Sequence, residues 1–104
     1  KNIKFFYITA PNKKEAGKIA KKLLDKKLIA CANVISNVNS YFVWKNKTQD
    51  SKEIIICGKT TSKNQKKIIQ EVKKLHSYSV PCVIFFDIKN GNKDFLKWIE
   101  QSVI

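Results

Sequence analysis

Apolar positions along this chain follow two rhythms. Short unbroken apolar runs alternate with stretches in which apolar residues recur every three or four positions among lysines. The first rhythm suits buried strands and the second amphipathic helices. Ile3 to Ile8 predicts a buried strand that ends at Thr9-Ala10-Pro11. Asn12 then predicts a helix cap, with Glu15 in the capping-box position. Ala16, Ile19, Ala20, Leu23, Leu24 and Leu28 form that helix's apolar face. Gly17 sits inside it at a propensity cost of about 1 kcal/mol, which suggests a close approach to the sheet.

Cys31 to Trp44 predicts a long, bent strand, with Asn37 and Asn39 marking a bulge. Lys45 to Ser51 predicts a polar turn, and Glu53 to Thr60 the returning strand. Ser62 predicts a second cap with Gln65 completing its box, ahead of a helix facing the core through Ile68, Ile69, Val72 and Leu75. Pro81 separates that helix from a strand over Cys82 to Ile88. Asn90-Gly91-Asn92 turns the chain into a last helix carrying Phe95, Leu96, Trp98, Ile99 and Val103.

The order β-α-β-β-α-β plus a terminal helix predicts an α+β fold. It is a ferredoxin-like split βαβ sandwich with an extended β-hairpin and an extra C-terminal helix. Residues 1–104 read as a single domain without repeat or linker. Three strands, Phe5-Phe6-Tyr7-Ile8, Ile54-Ile55-Ile56-Cys57 and Val83-Ile84-Phe85-Phe86, do not alternate. A sheet with one wet face should alternate. The terminal helix can cover part of the second face, and another subunit is expected to cover the rest.

Charge and cysteine usage narrow the function. The net charge is +13, yet all 21 basic residues are Lys and none is Arg. Arg is the residue suited to bidentate phosphate and guanine contacts, so no specific nucleic-acid partner is expected. Apolar runs are strand-sized, so no membrane span is expected. No secretory-signal pattern opens the chain, and the lack of Met suggests that its natural start lies outside it. Cys31, Cys57 and Cys82 are odd in number and widely spaced, which predicts free thiols in a reducing, cytoplasmic setting.

Gly58-Lys59-Thr60 mimics the end of a phosphate-binding P-loop, but Glu53 stands where that loop needs its first glycine. What survives is an anion held by Lys59 and Thr60 near a helix start. No nucleophile-elbow signature accompanies the sole histidine, His76, so no enzyme activity is expected. A carboxylate pair among Glu53, Asp87 and others is not singled out by spacing. His76 and Cys82 share one connecting segment, and imidazole plus thiolate suits copper(I) or zinc. The bland reading of the same residues is a hydrogen-bonded histidine and unliganded cysteines. Tyr41, Trp44 and Tyr78 likewise read either as packing aromatics or as cleft walls.

Several motifs occur together in one order: Ala30-Cys31-Ala32-Asn33, Ser40-Tyr41…Trp44-Lys45, Lys59-Thr60, His76…Tyr78…Pro81 and Gly91-Asn92…Leu96…Trp98. Their spacing resembles the CutA family of divalent-cation tolerance proteins over nearly the whole chain. The resemblance implies a homotrimer with sheets around the threefold axis and the long hairpin reaching neighbours. It implies no obligatory cofactor and is compatible with copper or another divalent cation as ligand. The family architecture also resembles the PII signalling proteins, which implies an alternative: a small anionic ligand in a cleft between subunits, lined by Tyr41, Trp44, Lys59, His76 and Tyr78. Copper-binding bacterial members carry a cysteine before the Thr-Ala-Pro sequence and a His-His pair; here Ile8 and Leu75-His76 stand there. Cys82 replaces an acidic residue that commonly follows the proline, and Asn46 replaces a turn glycine. Of the bacterial metal ligands only His76 remains, with Cys82 as a substitute soft donor.

Overall fold

The computed structural model describes residues 2–104. Strand β1 (Ile3–Ala10) leads through helix α1 (Lys13–Asp25) to a long hairpin of β2 (Cys31–Trp44) and β3 (Lys47–Thr61). A 3-10 turn (Ser62–Asn64) precedes α2 (Gln65–Leu75), and β4 (Val83–Ile88) and α3 (Lys93–Ser102) complete the order. The four strands form one antiparallel sheet in the order β2-β3-β1-β4. This is the split βαβ arrangement expected from the pattern.

One sheet face is closed by α1 and α2. Phe6, Ile8 and Ala10 of β1, Ile54 and Ile56 of β3, Ile19 and Leu23 of α1, and Ile68 and Val72 of α2 form the core. The other face carries Phe5, Tyr7, Ile55, Ile35, Ile84 and Phe86, by alternation and register. Helix α3 packs on β3 and β1 through the buried Ile99 and covers only one end of that face. Ile84 and Phe86 stay 46% and 51% exposed, and Ile35 47%.

The hairpin differs from expectation at its tip. The polar residues 47–52 pair with β2 instead of forming a turn, down to Trp44 opposite Lys47. Only Lys45 and Asn46 turn, with φ of 51° and 65°. A two-residue turn of this hand matches strand twist, so the ladder needs no longer loop. The bulge falls between Ile35 and Val38, where Asn37 has φ 61°. Asn39 is regular and faces Lys52.

Two caps also differ. Ser62 opens a 3-10 turn, and α2 starts at Gln65 without a side-chain cap bond. Asn64 is instead used as a staple: its amide reaches the carbonyls of Leu28 (3.4 Å) and Ile104 (3.2 Å). At α1 the Asn12 side chain accepts from the Glu15 amide at 2.8 Å, as expected. The Glu15 carboxylate does not return the bond; it accepts from the Ser77 amide and hydroxyl at 2.9 and 3.1 Å. Gly17 makes no close approach, since a Cβ there would meet nothing within 4 Å. Gly17→Ala should therefore stabilise the protein by about 0.5–1 kcal/mol in a denaturant melt.

Candidate functional site

Three elements converge at the base of the hairpin: the end of β1, the middle of the β2–β3 ladder, and the segment 76–82 between α2 and β4. They enclose a groove of about 720 Å³. Tyr41, Phe42, Trp44, Gln49 and Glu53 of the hairpin line it, together with Tyr78, Ser79, Val80 and Cys82 of the connecting segment. Thr9, Ser40 and Ser51 also line it. The wall aromatics are exposed because the hairpin runs past the helices, which end where β3 becomes polar.

His76 holds the segment 76–82 in place. Its ring lies 2.7 Å from the Thr9 carbonyl through Nε2. Thr9 sits one residue beyond the β1–β4 ladder, which ends at Ile8–Val83. The Tyr78 amide donates to Nδ1 at 3.1 Å. A ring that accepts at Nδ1 carries its proton on Nε2, where the Thr9 carbonyl takes it. The Glu15 carboxylate stands 3.3 Å from Nδ1. The side chain is buried, and its ring is tilted against Tyr78 with centroids 4.7 Å apart.

Tyr78 in turn donates its phenol to Glu53 at 2.8 Å. Burial pushes the phenol up to about 12, with the Glu53 hydrogen bond and charge adding to the shift. Burial also pushes the Cys82 thiol up, helped by the Glu53 charge and opposed by a hydrogen bond with Thr9. Between the ordinary tyrosine value of 10 and about 12, the unfolded chain loses the phenolic proton and the folded one keeps it. Stability from Tyr78 is thus full below pH 10 and is lost as pH rises through about 12. The difference in melting temperature between the parent and Tyr78→Phe should shrink over that window. A constant difference would exclude the linkage.

The sequence-predicted residues divide. Tyr41, Trp44, Tyr78 and Cys82 meet on one groove. His76 lies behind it and orients Tyr78. Lys59 is elsewhere: it pairs with Phe5 and Cys31 across the sheet, and its Nζ lies 5.7 Å over the Phe95 ring of α3. Thr60 is fully buried and donates to the Leu28 carbonyl at 2.6 Å, so its hydroxyl is spent on the fold. Glu53 stands out in the sequence only as a missing glycine and as one of several carboxylates. A sharper signal is present: an acidic residue heading an apolar strand run in a lysine-rich chain. Among the described residues, no group of three or more His, Cys, Asp or Glu side chains comes together to hold a metal ion.

Comparison with known proteins gives a consistent result. Residues 4–102 match the family described as CutA1 divalent ion tolerance protein. The divalent-cation tolerance protein CutA of Archaeoglobus fulgidus is 43% identical over 95% of this chain and 96% of that protein. A solved structure of the periplasmic divalent cation tolerance protein CutA from Archaeoglobus fulgidus superposes with a TM-score of 0.94. It is 42% identical and covers 98% of this chain and 99% of that one. The divalent cation tolerance protein from Thermus thermophilus gives 0.95 at 31% identity, covering 97% and 98%. Among the described residues, no helix is long and apolar enough to cross a membrane.

Proposed function

The chain belongs to the CutA1 family of divalent ion tolerance proteins, and from that premise we propose that it works as a homotrimer whose groove receives copper or another divalent cation. One observation carries the choice of a cation. Among the side chains lining the groove, the only charged one is Glu53. The anionic-ligand alternative relies on Lys59, which does not line it. Cys82 supplies the soft donor beside that charge. His76, the other candidate donor, lies behind this lining with Nδ1 taken by the Tyr78 amide. The free thiols Cys31, Cys57 and Cys82 support a reducing, cytoplasmic setting.

The uncovered sheet face supports the trimer. Ile35, Ile84 and Phe86 are about half exposed, so each forgoes roughly 0.7–1.5 kcal/mol of burial, which favours association through that face. Light scattering should give three subunits per particle, and Ile84→Lys with Phe86→Lys should split it. A parent that runs as a monomer would defeat the assembly.

Metal uptake is tested by elemental analysis of protein purified without chelator or affinity tag, then by calorimetry with copper(I) under reducing conditions. The Cys82 thiol is held up by burial and must lose its proton to bind. Affinity should therefore rise about tenfold per pH unit while the thiol remains protonated. Affinity that is flat with pH, or unchanged in Cys82→Ser, would remove Cys82 from the role.

A further inference from the structure

The outer side of α1 and α2 faces away from the sheet, and so away from the face through which subunits are proposed to associate. Residues 13–27 and 62–75 hold twelve lysines and three carboxylates, so this layer carries nine of the chain's thirteen net positive charges. All twelve lysines are exposed. Glu71 is taken by Lys26 at 2.6 Å and Lys74 at 3.5 Å. Glu15 accepts from Ser77 and stands beside His76. Asp25 is then the one carboxylate left to balance the other ten lysines of the layer.

This placement works against the helices that carry it. Lys14, Lys18 and Lys21 recur at helical spacing along one stripe of α1, about 5–6 Å apart, where like charges repel. Lys66 and Lys67 fall in the first turn of α2, which holds no acidic residue and begins without a side-chain cap bond. That turn is the positive end of the helix dipole, where a cation is unfavourable. An anion lying along the layer relieves both costs. A neighbour's hairpin does not supply it, since its exposed Lys45, Lys47 and Lys52 outnumber Asp50.

We propose that this layer binds linear inorganic polyphosphate. Lysine ammonium groups are point charges that meet phosphate oxygens without a fixed geometry. Residues 13–27 and 62–75 contain no aromatic residue on which bases could stack, and the chain has no Arg to grip phosphate or guanine bidentately. Among the described residues of the layer, Leu24 is the one exposed large apolar side chain, so there is no apolar face to enter a bilayer. The surface reads charge alone, and a phosphate chain without sugars or bases offers charge alone, at closer spacing than a nucleic acid strand. Such a chain is flexible enough to follow both helices. The layer is exposed whether or not subunits associate, so the proposal needs neither the trimer nor a metal.

The test is fluorescence anisotropy of end-labelled long-chain polyphosphate with the intact protein, in chelator and at several salt concentrations. Saturable binding is expected, with log affinity falling linearly with log salt. Lys18→Gln, Lys21→Gln and Lys66→Gln together remove three charges outside the Glu71 pairs and keep good helix formers. This triple variant should flatten the salt slope by about 2 and weaken binding about tenfold or more near 0.1 M salt. Lys89→Gln, Lys93→Gln and Lys97→Gln, after β4 and on α3, remove the same charge elsewhere and should cost less than about twofold. Oligouridylate and phosphatidylserine vesicles are the competitors, and each should need about tenfold or more phosphate than unlabelled polyphosphate to displace the label. If the layer variant does not fold, the salt slope and the competition on the parent decide. Equal loss in the two triple variants, displacement by either competitor at equal phosphate, or no saturable binding overturns the proposal.

Discussion

Gly58→Ala should leave no soluble, folded protein. Gly58 sits in the middle of β3, between Phe6 of β1 and Ala32 of β2 in the ladder. A Cβ there would lie 2.0 Å from the Cys31 carbonyl oxygen and 2.9 Å from both the Cys31 carbonyl carbon and Phe6 Cε2. The nearest obstacle is backbone, held by strand pairing, so no rotamer change removes it. Ordinary overpacking costs about 1–3 kcal/mol because side chains yield. Here β2 must leave β3, which removes the ladder that carries the whole hairpin. The cost should exceed about 4 kcal/mol, a large share of a stability of about 5–15 kcal/mol. The check is soluble yield and the circular-dichroism melt, with Gly17→Ala as the control of opposite sign. A Gly58→Ala protein that melts within a few degrees of the parent would show that β2 yields at Cys31.

The same two glycines show what the sequence could and could not say. Both interrupt elements in which glycine is unfavourable, and pattern reading gives a packing reason to Gly17. The structure reverses this: Gly17 faces open space and Gly58 is the close approach. Periodicity names the face of a helix but not the distance across a sheet. The element order and the apolar second face are legible because each rests on local pattern. The hairpin tip is not, because its strands past Val38 have no core to face. Their pairing comes from backbone geometry and a two-residue turn, which polar composition conceals. Motif spacing puts Tyr41, Trp44, His76 and Tyr78 in one cleft; the structure lines a groove with Tyr41, Trp44 and Tyr78 beside Cys82, and leaves His76 behind it. Motif spacing also adds Lys59 because that residue ends the strand that carries Glu53. Strand length sets the outcome, since the six residues from Glu53 to Lys59 carry the chain to the other end of the sheet.

His76→Ala should lower stability by about 2–4 kcal/mol and disarrange the groove without touching its wall. The ring joins three elements: the Thr9 carbonyl of β1, the Tyr78 amide, and the end of α2, where its own amide bonds the Val72 carbonyl. Truncation leaves Thr9 and Tyr78 without partners in a partly buried site and opens a cavity where the imidazole stood. Each orphaned group costs about 1–3 kcal/mol, before the lost packing. Two variants split the effect by geometry. Gln places an amide nitrogen near the Nε2 position and can keep the Thr9 bond, whereas Asn places an oxygen near Nδ1 and can keep the Tyr78 amide. Both should fall between the parent and Ala in a chemical melt. Tyr78 gives a second readout, because its phenol is raised to about 12 by burial and by Glu53. If His76 orients Tyr78, the phenol should titrate closer to the ordinary value of 10 in His76→Ala and Gln, and stay high in Asn. Copper calorimetry on the same proteins separates orientation from ligation. Affinity that falls in all three, none of which has a ring nitrogen, and in Asn although it keeps the Tyr78 amide bond, assigns His76 as a ligand; affinity unchanged in all three leaves it as the residue that sets Tyr78 against Glu53. A high phenol value in every variant would show instead that Glu53 holds Tyr78 alone and that His76 serves only the join between β1 and α2.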